Sequence, residues 1–154
     1  MNKNPQTLLL TLVAAVAMIF STQTASAHCQ IPCGIYDDDA QVKLMLLDAT
    51  TIKKSATEIN NLAGKTDPQS ANQLARWVTN KEAHAENVIN TISNYFLTQR
   101  VKASQSDYAE RLKRHHAVMV AAMKCKQSAD PAKADELAAA ILVLRAYYPE
   151  THKH

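Results

Sequence analysis

The chain has 154 residues, only two glycines, few aromatic residues (5%) and a net charge of +3. That length sets one domain as the expectation, and the abundance of Ala, Leu, Lys and Gln points to helix. The charge is small and no basic run is interleaved with aromatics, which excludes a dedicated nucleic-acid binder; a mild positive bias still favours the approach of a small anion.

The first residues have the pattern of an export signal. Lys3 supplies a positive start, Leu8 to Phe20 form a 13-residue apolar run broken only by Thr11, and Ala25-Ser26-Ala27 follows as an A-x-A cleavage site. The run falls short of the roughly 20 residues that a spanning helix needs, so an uncleaved membrane anchor is the lesser reading. Residues 1–27 are expected to be removed by cleavage between Ala27 and His28. That implies an extracytoplasmic, periplasmic protein with no membrane attachment, and residues 28–154 suffice for a self-contained core.

Residues 28–37 read His-Cys-Gln-Ile-Pro-Cys-Gly-Ile-Tyr-Asp, holding two of the three cysteines and one of the two glycines. Beyond them, residues 38–154 carry helical periodicity. A first helix is expected from Asp38 or Asp39, acids suited to a helix start, with an apolar line through Val42, Met45, Ala49, Ile52, Ala56, Ile59 and Ala63 and a stop at Gly64. Asp67-Pro68 is a cap followed by a first-turn proline. It opens a second helix with Leu74, Trp77, Val78, Ala85, Val88, Ile92, Tyr95 and Phe96 inward, Lys81 interrupting the line, and an end near Gln99.

A third helix is expected from Ser104 or Ser106, lined by Tyr108, Leu112, His115, Met119 and Ala122 with Met123 beside them. A fourth opens at Asp130-Pro131, continues through Leu137, Ile141, Leu144 and Tyr148, and stops at Pro149, leaving Glu150 to His154 as a frayed tail. Four amphipathic helices with short links and no strand pattern make an all-α, antiparallel four-helix bundle.

The chemistry concentrates in residues 28–37. If His28 is the mature N-terminus, its α-amine and the amide nitrogen of Cys29 close one chelate ring and the Cys29 thiolate closes the next. Cys33 returns from the far side because Pro32 and Gly34 bend the chain. The result is a planar set of two nitrogens and two thiolates, with the His28 imidazole available above it. Square-planar nitrogen and sulfur ligation favours nickel(II) or copper(II). Zinc prefers a tetrahedral set at finger-like spacing, which is missing.

The run His28-Cys29-Gln30-Ile31-Pro32-Cys33-Gly34-Ile35-Tyr36-Asp37 closely resembles the nickel hook of nickel-containing superoxide dismutases, whose pattern H-C-x-x-P-C-G-x-Y is filled at every fixed position. Arg76, Lys81-Glu82 and Asn94-Tyr95-Phe96 also sit where members carry similar segments. The resemblance implies a four-helix bundle with one nickel ion per subunit. It makes His28, Cys29 and Cys33 the metal ligands and Tyr36 the tyrosine lining the substrate pocket, with Tyr95 as a second. It further implies a homohexamer and disproportionation of superoxide anion to dioxygen and hydrogen peroxide as nickel cycles between +2 and +3.

The chain departs from the family's pattern at several places. Gln30 stands where some members carry aspartate, and Asp38-Asp39 lengthens the link after the hook. Met45 aligns with a glutamate that orients the imidazole, and His84 with a nearby arginine. Gln30, His84 and Tyr95 are thus candidates to surround the ligands, and the orientation of the His28 ring rests on groups other than that glutamate.

The competing function is a non-enzymatic exported protein: a nickel- or copper-binding bundle, or one stabilised by a Cys29–Cys33 disulfide. Cys125 is expected as a small buried side chain. His115 is expected as a hydrogen-bonded core or interface histidine rather than part of a second metal site with His116. His152 and His154 belong to the solvated tail, and Trp77, Tyr147 and Tyr148 are packing residues.

Overall fold

The computed structural model describes residues 37–150. The expected export signal, the motif from His28 to Tyr36 and residues 151–154 lie outside the described residues. Among those described there are four α-helices and no strand: α1 (Asp38–Leu62), α2 (Pro68–Asn90), α3 (Tyr108–Gln127) and α4 (Ala132–Leu144). A π-helical segment, Thr91–Arg100, continues α2.

The helix boundaries follow local chemistry. Asp37 caps α1, its Oδ1 accepting from the backbone amides of Asp39 (2.9 Å) and Ala40 (3.4 Å). Gly64 takes φ +79° just past the end of α1, a conformation that costs glycine little. Asp67 accepts from the Ser70 amide at 2.9 Å, and Pro68 occupies the first turn of α2. Asp130 accepts from the Ala132 amide at 2.9 Å to start α4.

The third helix starts later than the serines suggest. Gln105 uses that stretch as a turn: its Oε1 accepts from the Lys102 amide (2.8 Å) and its Nε2 donates to the Arg100 carbonyl (3.1 Å). Helix α3 therefore begins at Tyr108, with Asp107 paired to Arg111 at 2.7 Å.

The helices pack as an antiparallel square in which α1 touches α2 and α4, and α3 touches the same two. Cross-links fix the directions. Asp38 meets Tyr95 while Ser55 meets Asn80 (2.9 Å), so α2 runs opposite to α1. Lys43 meets Glu150 (2.7 Å) while Lys53 meets Asp135 (2.9 Å), so α4 also opposes α1. The first of these pairs ties down Glu150, which the sequence places in a frayed tail.

Val42, Met45, Ala49 and Ile52 of α1 meet Ala85, Val88, Ile92 and Phe96 on the second arm, formed by α2 and its π-helical continuation. Val118, Ala122 and Cys125 of α3 meet Leu137, Ile141 and Leu144 of α4. The inward lines shift at their ends. Val78, Leu112 and Met123 are exposed, Leu74, Trp77 and Ile59 are half-buried, and Ala63 lies past the end of α1 in solvent. In α3 the buried face is His115, Val118, Ala122 and Cys125, because the helix turns Val118 inward in place of Met119. No helix among the described residues is long and apolar enough to cross a membrane.

Lys81, the interruption in the α2 line, is buried at 4% exposure. Its Nζ donates to the carbonyls of Cys125 (2.6 Å) and Lys126 (2.7 Å) and to Glu82 Oε1 (3.0 Å). The last carbonyls of α3 have no partner within their own helix, and a cation there is favoured by the helix dipole. A buried ammonium thus does a cap's work from a neighbouring helix. Lys81→Met removes these donors while keeping the apolar stem; it is expected to destabilise the bundle by about 1–3 kcal/mol in urea unfolding. An unchanged or higher midpoint overturns this account.

Candidate active site at the start of the bundle

The described structure begins where the candidate ligand motif ends in sequence. Asp37 receives the chain and turns it into α1, and Asp38 is the first helical residue. The Asp38 carboxylate accepts from the Tyr95 hydroxyl and, through Oδ1, from Arg100 Nε at 2.7 Å. Arg100 Nη2 donates to the same hydroxyl at 2.8 Å, and its guanidinium lies 5.2 Å from the Tyr95 ring centroid. Burial, and then the carboxylate that the phenol serves, push the Tyr95 pKa up to about 12, so the side chain stays a neutral phenol at physiological pH. Gln99 lies on the same turn, and its buried Nε2 has no hydrogen-bond partner among the described residues.

Behind Tyr95 the site rests on an aromatic wall. Phe96 is fully buried and packs edge-on to Tyr95 (centroids 5.1 Å apart), 4.5 Å from Tyr148 and 5.8 Å from His115. His115 is likewise fully buried. Its Nδ1 lies 2.7 Å from the Arg111 carbonyl, which can only accept, so Nδ1 carries the proton. The Tyr148 hydroxyl, 2.9 Å away, therefore donates to Nε2. His115 is a neutral core histidine, as its place on the apolar line suggests, while His116 is exposed.

Of the other candidates, His84 pairs with Asp48, Nδ1 to Oδ1 at 2.6 Å, on the α1–α2 seam. Ten residues of α1 separate Asp48 from Asp38, about 15 Å along the axis. Met45 belongs to the core with no exposure. His28, Cys29, Gln30, Cys33 and Tyr36 lie outside the described residues. Among the described residues, no group of three or more His, Cys, Asp and Glu side chains is placed to hold a metal ion. An open groove beside Gln73, Arg76, Trp77 and Asn80 lies well down α2 from the Asp38 cluster.

Asp38 and Arg100 are the polar residues of the site that the sequence pattern did not attach to it. Asp38 carried a signal in adjoining the motif. Arg100 carried none, because five residues from Tyr95 it falls on a different face of an α-helix.

A family model for nickel-containing superoxide dismutases matches residues 23–152, which is most of the chain. The chain belongs to the nickel-containing superoxide dismutase family. Membership makes it an oxidoreductase acting on superoxide, with nickel as its cofactor, and the helical bundle is the fold that membership implies. No curated protein and no solved structure matches the chain in the corresponding comparisons.

Burial holds the His115 pKa below its ordinary 6.5. As pH falls below that value the unfolded chain takes up a proton before the folded one does, so stability declines from there until the lower folded pKa is reached. His115→Gln keeps a donor for Arg111 and an acceptor for Tyr148 without titrating. The melting temperature of the wild type is expected to fall more steeply than that of His115→Gln between about pH 7 and pH 5. Parallel curves overturn the assignment.

Proposed function

We propose that this chain is an exported superoxide dismutase holding one nickel ion through the α-amine and imidazole of His28, the amide nitrogen and thiolate of Cys29, and the thiolate of Cys33. The observation that carries the reading is a family match spanning the motif and the bundle together, with every fixed position of the hook pattern filled from His28 to Tyr36. The donor set fits the metal: thiolates with amine and amide nitrogens suit square-planar nickel(II), and their negative charge favours the +3 state.

When bound, nickel supplies one-electron redox chemistry between +2 and +3. The overall reaction consumes two superoxide anions and two protons and gives one dioxygen and one hydrogen peroxide. Tyr36 adjoins the ligands in sequence and is suited to holding a water or anion by its hydroxyl. Tyr95, a neutral phenol at physiological pH, stands at the start of the bundle against Asp38 and does not act as a base. The modest positive charge of the chain favours arrival of the anion.

The Lys3, Leu8–Phe20 and Ala25-Ser26-Ala27 pattern supports the reading of an exported, periplasmic enzyme. Cleavage after Ala27 also creates the α-amine ligand, so targeting and assembly of the site depend on one processing event. The hexamer is what the family resemblance implies; the exposed apolar side chains Leu44 and Leu47 on α1 and Leu142 and Val143 on α4 support association between copies of the chain.

The test combines processing with ligand removal. Native intact mass of protein from its own host is expected to show a chain starting at His28, with one nickel per subunit. Cys29→Ser, Cys33→Ser and a chain with one residue added before His28 are each expected to lose superoxide turnover to background while keeping their helical circular dichroism. Full turnover in either serine variant sinks the ligand assignment. A metal-free protein starting at His28 with the mass of an internal disulfide favours the disulfide-stabilised bundle.

A further inference from the structure

We propose that Asp38 and Arg100 are positioning residues for the nickel-binding segment. With Tyr95 they clamp the point where that segment joins the bundle, and the π-helical stretch Thr91–Arg100 is the device that builds the clamp. This rests on the reading of His28, Cys29 and Cys33 as the nickel ligands.

Connectivity puts the clamp at the right place. Asp38 follows Tyr36 by two residues and Cys33 by five. A five-residue span reaches at most roughly 18 Å even when fully extended. Any rotation or fraying of the first turn of α1 is therefore passed to the second thiolate through a short covalent tether. Asp37 already caps that turn through its Oδ1. Asp38 then fastens it to the second arm of the bundle by two separate donors, the Tyr95 hydroxyl and Arg100 Nε.

The helix geometry shows why two donors converge. In an α-helix each residue turns about 100°, so residues five apart lie roughly 140° away from each other. Tyr95 and Arg100 are five apart, and on an α-helix they could not both meet one carboxylate. In the wider turn of the π-helix, with hydrogen bonds from residue i+5 to residue i, they share a face. The Val101 amide donates to the Phe96 carbonyl at 3.0 Å, Thr98 Oγ1 donates to the Ser93 carbonyl at 2.7 Å, and Arg100 Nη2 reaches the Tyr95 hydroxyl at 2.8 Å.

Such helices are rare, and where they occur they are often found at functional sites. The fixed partners explain this one's register. Phe96 is locked into the core beside Tyr95, and the Arg100 carbonyl is held by Gln105. The side chains of Asp38 and Arg100 are each 29% exposed, so their ion pair adds little to global stability. Its effect is local: it sets the direction in which the chain leaves the metal site.

The experiment compares the nickel-loaded wild-type enzyme with Arg100→Ala, Arg100→Lys, Asp38→Asn and Lys53→Ala, measuring nickel release to a chelator and the melting temperature. Cys33→Ser serves as the control on the metal site. Arg100→Ala and Asp38→Asn are expected to release nickel roughly tenfold faster or more, the usual scale for groups that orient ligands. Arg100→Lys recovers part of the loss, and Lys53→Ala, which removes an exposed ion pair elsewhere, releases at the wild-type rate. Melting temperatures stay close to that of the wild type.

Wild-type release from both Arg100→Ala and Asp38→Asn overturns the clamp and leaves the nickel site standing. Equal acceleration in Lys53→Ala also overturns it, since the effect is then general loosening. Full nickel retention by Cys33→Ser overturns the ligand reading itself. If Arg100→Ala does not fold, Asp38→Asn, which preserves size and an acceptor for Tyr95, decides the matter alone.

Discussion

A single carboxylate, that of Asp38, joins the two parts of this molecule. Before it in sequence come Pro32, Gly34 and the proposed nickel ligands; after it comes the helical bundle. Such a junction has to resist two tendencies. A helix frays at its first turn because its leading amides lack partners, and a first turn held only by its own cap is free to shift against the neighbouring helices. Asp37 addresses the first by accepting from the amides of Asp39 and Ala40. Asp38 addresses the second by tying the turn to Tyr95 and Arg100 on another helical element. The neighbouring Asp39 extends the same pattern toward α4. It is buried, with its pKa held below the ordinary carboxylate value chiefly by the hydrogen bond from Lys43, and Arg145 lies 3.4 Å away.

The bundle behind this junction is polar at a few buried points, and apart from Gln99 Nε2 these have partners among the described residues. Lys81 reaches the open carbonyls of α3, His115 is satisfied at both ring nitrogens, and Ser55 bonds both the Thr51 carbonyl and Asn80. A buried polar group left unpaired costs about 1–3 kcal/mol, whereas a paired one is close to neutral for stability and restrictive for geometry. These pairs therefore fix register. Four apolar seams could slide by a helical turn with modest loss, but Lys81 finds two free carbonyls only at the end of α3. His115 finds Tyr148 only where the chain has turned past the end of α4 at Leu144. The outcome is an aromatic wall of Phe96, His115 and Tyr148 standing in a set place behind Tyr95.

How much of this was legible in the sequence depended on the range of the interaction. The starts at Asp67-Pro68 and Asp130-Pro131 and the stop at Gly64 are local, and the structure keeps all three. The centre of each apolar line is also kept, because Met45, Ala49, Val88, Ile141 and Leu144 are surrounded from several sides. At the ends of the helices the lines fail. Val78, Leu112 and Met123 have helical spacing but no facing partner, so they remain in solvent. Ser104 and Ser106 look like helix caps until Gln105 folds back on Lys102 and Arg100, a contact that spacing does not announce. The π-helical register is the deepest case. Nothing in Thr91–Arg100 distinguishes it from an α-helix, because the register is set by partners on other elements: Asp38 across the junction and the packing of Phe96. The ligand motif itself was read from chain chemistry and family pattern, and its residues precede Asp37.

On the proposed ligand set, one chain keeps thiols of opposite character. Cys125 is buried against α4, and burial pushes its pKa up to about 11, so it stays protonated and a poor nucleophile. In the proposed site Cys29 and Cys33 must be thiolates, since only the anion ligates the metal strongly. Hydrogen peroxide oxidises thiolates far more readily than buried thiols, so the product of the reaction threatens the ligands and spares Cys125. A thiolate is protected when its lone pairs are engaged by a metal and its surroundings are held still. That makes rigidity at the junction a chemical requirement as well as a structural one. A segment that loosens at Asp38 would expose free thiolate to the peroxide that the enzyme makes.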